Sequence, residues 1–198
     1  MASLKNLKIT PDSINKAKEW FGRKIKDLHF NASFHGVGHS RMNKPLPGHM
    51  FLFHYDAKLK DELPYWDTYP LVLPFNVKSD RFWGLNLHYL PPMYRLQLLA
   101  ALNKLVVDSK ISDQKKMEMS WGILKESTRL NLVKPCVHSY LFTGNHIRSN
   151  FMMIDSEEWY QAVLLPLEAF KRRDPLSEKA KYVNFDKKDV WIDSMRGT

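Results

Sequence analysis

Five prolines fall inside the most aromatic and aliphatic part of this chain. They sit in Leu63-Pro64-Tyr65-Trp66-Asp67-Thr68-Tyr69-Pro70-Leu71-Val72-Leu73-Pro74-Phe75 and in Trp83-Gly84-Leu85-Asn86-Leu87-His88-Tyr89-Leu90-Pro91-Pro92. Each proline fixes φ and removes a backbone donor, which sharply limits how the block can pair. Such a block suits a rigid, proline-pinned sheet that exits into a helix. It is poor in groups for acid–base or nucleophilic chemistry, so it reads as a structural module ahead of an enzyme.

Around it, Met50 to Asp56, Tyr69 to Val77 and Phe82 to Leu87 have strand character, and the economical arrangement is an antiparallel meander. Pro64, Pro70 and Pro74 delete ladder donors, which predicts an edge or bent strand for Tyr69 to Val77. Beyond Pro91 the pattern turns helical. Pro91-Pro92 opens a helix that directs Leu96, Leu99, Leu102 and Val106 inward. Ser112-Asp113 caps a second helix with Met117, Trp121, Leu124 and Leu132 on its inner side, and Pro135 starts a short third through Tyr140-Leu141-Phe142. Asp155-Ser156-Glu157-Glu158 resembles a capping box ahead of Trp159, Val163 and Leu164. Lys179 to Lys188 is expected to be irregular, and Val190-Trp191-Ile192 to be a docked apolar terminus. The fold class expected is α+β: a small antiparallel meander, then a helical C-terminal half. The division expected is a basic helix and arm over 1–48 and a single domain over 49–198 with a charged tail.

Charge is concentrated at the start. The chain of 198 residues carries +9 overall, and residues 1–48 hold nine Lys/Arg against three Asp/Glu, a surplus of +6. A strongly basic segment points to an anionic partner, nucleic acid or an acidic protein surface. Thr10-Pro11-Asp12 starts an amphipathic helix with Ile14, Ala17, Phe21, Ile25 and Leu28 on one stripe. Lys16, Lys18, Arg23, Lys24 and Lys26 lie elsewhere on it, either as a solvated face or as a phosphate-contacting one. Residues 31–48 form a glycine- and proline-containing arm with Arg41 and Lys44 and no acid. Lys171-Arg172-Arg173 adds a third basic cluster, read either as DNA contacts or as cations complementing a helix C-terminus.

Catalytic and metal chemistry find little support. His35 and His39 lie in a glycine-rich loop, and His49 and His54 are an odd number apart, which on a strand points them to opposite faces. Asp56, Asp61, Glu62 and Asp67 cluster around one polar turn, as acids commonly do. The lone Cys136 excludes an intrachain disulfide and a thiolate zinc site, and two residues from His138 on a helix it would not face it. No glycine-rich phosphate cradle is present, so no cofactor is expected. Met1-Ala2-Ser3-Leu4 begins no secretory leader, and no apolar run approaches the roughly 18–20 residues that span a bilayer. Synthesis in the cytosol and no membrane partner are therefore expected.

The stretch Met50 to Leu102 is similar to a block in virion proteins of T4-like tailed phages. Lys134 to Ile154, the Trp159 to Pro166 segment and Val190 to Gly197 fit the same pattern. The chain resembles the DNA end protector, or head-completion, family. That resemblance implies a noncatalytic virion protein that binds the ends of packaged phage DNA, helps close the filled head, and contacts neck or portal proteins. A competing expectation is a tail or baseplate subunit acting as a protein–protein adaptor. In it Trp66 and Tyr69 would be exposed interface anchors, with Trp83 assigned instead to the chain's own core. The DNA contacts expected, from charge alone, are Lys16, Lys18, Arg23, Lys24, Lys26, Arg41, Lys44, Lys171, Arg172 and Arg173.

Overall fold

The architecture is that of a computed structural model. It describes residues 41–42, 44–106, 133–164, 168–177 and 181–196 continuously, with isolated positions between 11 and 26 and between 110 and 131. Nine strands and three helices can be named within them. The strands are β1 (Arg41–Met42), β2 (Met50–Leu52), β3 (Trp66–Asp67), β4 (Leu71–Val77), β5 (Arg81–Asn86), β6 (Val137–Leu141), β7 (Phe151–Ile154), β8 (Phe170–Arg173) and β9 (Tyr182–Asn184). The helices are α1 (Pro92–Val106), α2 (Trp159–Leu164) and α3 (Lys187–Arg196). A six-stranded sheet runs in the order β1-β7-β2-β4-β5-β6, and a three-stranded one in the order β3-β8-β9. Every pairing is antiparallel.

Strand alternation divides the large sheet into two apolar faces, because successive side chains point to opposite sides. Met50, Leu52, Leu71, Leu73, Leu85, Met152 and Ile154 face one way, where Leu99 and Leu102 of α1, Trp159 and Ala162 of α2, and Val190 of α3 cover them. Phe51, Val72, Phe82 and Phe151 face the other way, into an aromatic cluster with Phe53, Tyr55, Trp66 and Tyr140. Phe53 alone touches four of these rings at centroid distances between 4.9 and 6.3 Å.

The meander is present as β2, β4 and β5. Its middle strand, however, is interior rather than an edge. Pro74 is accommodated there by a register shift between Pro74 and Asn76: Leu73, Pro74 and Asn76 face Leu85, Gly84 and Trp83. A bulge of this kind absorbs the missing donor. Gly84 permits the close approach: a Cβ there would lie 2.2 Å from Val72 Cγ1. In the turn from β6 to β7, Gly144 and Asn145 have φ of 75° and 57°, and glycine and asparagine are the residues that tolerate this region.

The helical C-terminal half is corrected, since four strands, β6 to β9, lie beyond residue 136. Pro135 opens only a single 3-10 turn, Lys134–Cys136, before β6 begins. Val137, His138, Ser139 and Tyr140 then pair with β5, so long-range pairing overrides the helix-starting proline. The expected irregular stretch contains β9, and Val190 to Ile192 lie inside α3. Met117, Trp121, Leu124 and Leu132 lie outside the described residues, as do Ile14, Ala17, Phe21, Ile25 and Leu28. Pro11, Asp12, Asn15, Glu19, Gly22, Arg23 and Lys26 are helical and exposed. Within the expected arm, Arg41 and Met42 form β1 on the sheet's edge against β7.

Candidate nucleic-acid interface

The small sheet is held to the large one by buried polar groups. Asp67, at the end of β3, accepts from Asn86 Nδ2 at 3.1 Å and from the Tyr69 amide at 3.1 Å, and lies 2.6 Å from His88 Nδ1. Burial pushes the Asp67 carboxyl up, but His88, Asn86 and the amide together hold it below its ordinary value. Arg95 of α1 is a second clamp. Its guanidinium donates to the carbonyls of Leu90 at 2.6 Å and His88 at 3.0 Å and pairs with Glu168, two residues before β8. Lys187 Nζ completes Glu168 at 3.1 Å, and Trp191 Nε1 donates to the His88 carbonyl at 2.9 Å. Burial raises the Glu168 carboxyl, while Arg95, His88 and Lys187 outweigh it and keep it low. Isolated buried charges are costly, so these partners are what permit charges at this depth.

The strand so anchored carries cations. Register places Lys171 beside Trp66 and Asn184, and Arg173 beside Tyr182, so these five share one face of the small sheet. Arg172 lies on the other face, its guanidinium 5.1 Å from the Phe185 ring centre. Beside Lys171 is a groove of about 190 Å³ lined by His54, Asp56, Trp66, Thr68, Arg148 and Tyr182, among others. Arg148 reaches it from the β6–β7 connection, where its amide donates to the His54 carbonyl at 2.8 Å and the Ser149 hydroxyl accepts from the His54 amide at 2.9 Å. Asp56 accepts from Arg148 at 3.1 Å and from Lys60 at 2.9 Å. Burial raises the Asp56 carboxyl, but these two cations bring it below its usual range. Lys60 also lies 5.1 Å from the Tyr182 ring centre, and Tyr182 donates to Asp61 at 3.0 Å. Lys60, Arg148 and Lys171 thus gather at the groove around Asp56, with Asp61 beside them and Arg173 two residues further along β8, so cations outnumber carboxylates at the groove. Such a surface attracts phosphates without reading sequence.

A larger cavity of about 400 Å³ adjoins the groove through Trp66 and Tyr55. Its walls include Tyr65, Trp66, Tyr89 and Tyr140. His138 also lines it, tilted against Tyr89 with ring centres 4.1 Å apart.

These positions revise the expectations at several residues. Lys171-Arg172-Arg173 is a strand, not a helix end, so complementing a helix dipole does not explain it. Trp66 is 5% exposed and meets Tyr182 edge-on at 5.1 Å, which corrects its assignment as an exposed interface ring. Tyr69 is half-buried and stacks on His54 at 5.0 Å. Lys44 is exposed, 5.6 Å from the Phe142 ring centre. Arg23 and Lys26 are exposed on helix. Lys16, Lys18, Lys24 and the Arg41 side chain lie outside the described residues. Reading the sequence missed Lys60 and Arg148, whose proximity is created by contacts some ninety positions apart in the chain. His49 packs edge-on to Phe51, and among the described residues no three His, Cys, Asp or Glu side chains converge. Cys136 is buried, which pushes its thiol up to about 12.

A sequence profile of the phage T4 terminal DNA protecting protein matches residues 4–193. The chain belongs to that family. The match spans both sheets and the basic N-terminal segment, so the cation-bearing strand and the aromatic cavity lie within the family's own domain. The family's description is one of DNA protection. No curated protein and no solved structure matches the chain. Among the described residues no helix is long and apolar enough to cross a membrane.

Proposed function

We propose that this protein is a noncatalytic virion component that binds and shields the ends of packaged DNA during head completion. The observation that carries the reading is the unbalanced positive face of the small sheet, in a chain whose family protects terminal DNA. Lys171, Arg173, Arg148 and Lys60 are assigned to the phosphates, with Arg172 at the margin. Lys16, Lys18, Arg23, Lys24, Lys26, Arg41 and Lys44 extend the contact along the strand leaving the end. A tail or baseplate adaptor would instead be expected to present one contiguous apolar patch. Neck or portal proteins are the protein partners proposed.

The test is binding to linear and covalently closed circular duplexes across a salt series. Tighter binding to the linear form, with log affinity falling by about 0.9 per phosphate neutralised in log salt, supports the reading. Lys171→Gln with Arg173→Gln should then reduce the slope by about two. No binding at moderate salt, or equal affinity for both forms, would overturn it.

A further inference from the structure

The cavity between the small sheet and the β5–β6 strand pair has features that phosphate binding does not use. Its volume of about 400 Å³ falls within the about 300–1,000 Å³ typical of small-ligand sites. Aromatic rings line it on several sides: Tyr65, Trp66, Tyr89 and Tyr140. Two buried polar atoms of lining residues have no partner among the described residues. One is the Trp66 indole Nε1, a donor on a side chain 95% buried by its 5% exposure, and the other is His138 Nε2. Burial pushes the His138 imidazole down to about 4 despite the nearby Asp67 carboxylate, so the ring is neutral at pH 7. With the Pro135 carbonyl as partner for the other ring nitrogen, Nε2 is left as an acceptor. Burying a donor and an acceptor unpaired is costly, and a ligand that offers both complements relieves that cost. The lip combines the exposed apolar side chains Leu59 and Leu63 with Lys58 and with Arg81, whose guanidinium pairs with Asp80 at 2.8 Å.

Flat rings, one donor, one acceptor and cations at the mouth match a heterocyclic base attached to a phosphodiester. We propose that the cavity receives the unpaired terminal base of a DNA strand, while the neighbouring cationic groove holds the backbone behind it. The proposal rests on the DNA-end reading and supplies what phosphate contacts lack, a means of telling an end from the interior. Taking a base from inside a duplex costs a few kcal/mol of lost stacking and pairing, and an unpaired end base costs least. Stacking on aromatic side chains tolerates any base, as a nonspecific end binder requires.

The experiment uses duplexes carrying a fluorescent adenine analogue either as one unpaired nucleotide at the end or well inside. Binding is followed by anisotropy, and burial of the analogue by acrylamide quenching. The wild type should shield the terminal analogue severalfold and leave the internal one unchanged. Leu59→Trp adds bulk at the exposed lip without touching the core. It should abolish shielding and lower the preference for linear DNA about fivefold or more, the low end for one stacked base. Lys58→Glu, at the exposed lip, should weaken shielding in the same direction. Bound DNA with an unshielded end base, or shielding unaffected by Leu59→Trp, overturns base capture and leaves the DNA-end reading standing. Failure of either duplex to bind overturns both.

Discussion

Glu168→Gln tests whether a buried ion pair holds the cation-bearing strand in place. The Arg95 and Glu168 side chains are each 1% exposed, so neither charge has water to fall back on. With Glu168 neutral, Arg95 loses its contacting ion-pair partner and keeps neutral acceptors, including the Leu90 and His88 carbonyls, the Trp191 ring 5.4 Å away and the attraction of the more distant Asp67. An uncompensated buried charge costs about 3–5 kcal/mol, a third or more of the stability of a typical domain. Arg95→Met should cost less. Glu168 would still have Lys187 at 3.1 Å, a side chain 30% exposed and partly solvated, and the main loss would be the Leu90 carbonyl's partner. That loss is worth about 1–3 kcal/mol. The double variant should cost less than the sum, with a coupling of about 1–3 kcal/mol. Urea unfolding followed by tryptophan fluorescence measures all three, and Glu168→Gln should lower the midpoint by about 1–2 M. If that variant stays within about 0.5 kcal/mol of wild type, as ordinary surface substitutions do, the clamp is not what orders β8.

Three further outcomes are expected. His138 has its folded value depressed to about 4, so between roughly pH 6.5 and 4 the unfolded chain binds a proton that the folded one refuses. Stability should therefore fall by about 3 kcal/mol as pH drops through that window, before the depressed carboxyls Asp56, Asp67 and Glu168 withdraw theirs below about pH 4. His138→Gln should flatten the upper window alone, and an unchanged pH profile would refute the assignment. Gly84→Ala places a methyl 2.2 Å from Val72 Cγ1, 3.2 Å from the Leu73 carbonyl and 3.3 Å from Pro74 Cα, and should cost about 1–3 kcal/mol in thermal unfolding. Val72→Ala in the same chain should recover part of it. Asp56→Asn removes the carboxylate shared by Arg148 and Lys60, and should tighten DNA binding about threefold at low salt. Weaker binding would mean that Asp56 orients Arg148 rather than merely neutralising it.

Where local pattern and tertiary structure agree, the chain is readable. β2, β4 and β5 are short apolar and aromatic runs bounded by polar turns, and α1 shows proline at its start with Leu99 and Leu102 at helical spacing on the core side. Reading failed where the deciding contact is distant. Lys171 to Arg173 looks like a helix end until Trp66, more than a hundred positions earlier, pairs with Lys171. Pro135 looks like a helix start until β5 claims Val137 to Leu141. Pro74 argues for an edge strand unless the glycine opposite is known to allow the approach. β6 offered only a weak local signal, since Val137, His138, Ser139, Tyr140 and Leu141 do not alternate and only Val137 and Tyr140 favour a strand.

The same distant contacts explain why charge counting alone located the interface poorly. The net surplus lies in residues 1–48, whereas residues 151–198 are almost neutral by count. Folding separates the signs in that last segment. Glu168 turns inward to Arg95, and Asp193 accepts from the Tyr65 hydroxyl at 3.3 Å. Lys171 and Arg173 are left on an open face joined by Arg148 and Lys60 from elsewhere in the chain. The cations at the groove thus come from distant parts of the chain, and Arg95 takes one acid of the last segment, Glu168, out of the surface beside them. The clamp that buries Glu168 and the surface that meets DNA are for this reason one device: loosening the first returns a negative charge to the neighbourhood of the second, and both stability and DNA affinity should fall together in any variant that frees Glu168 without neutralising it.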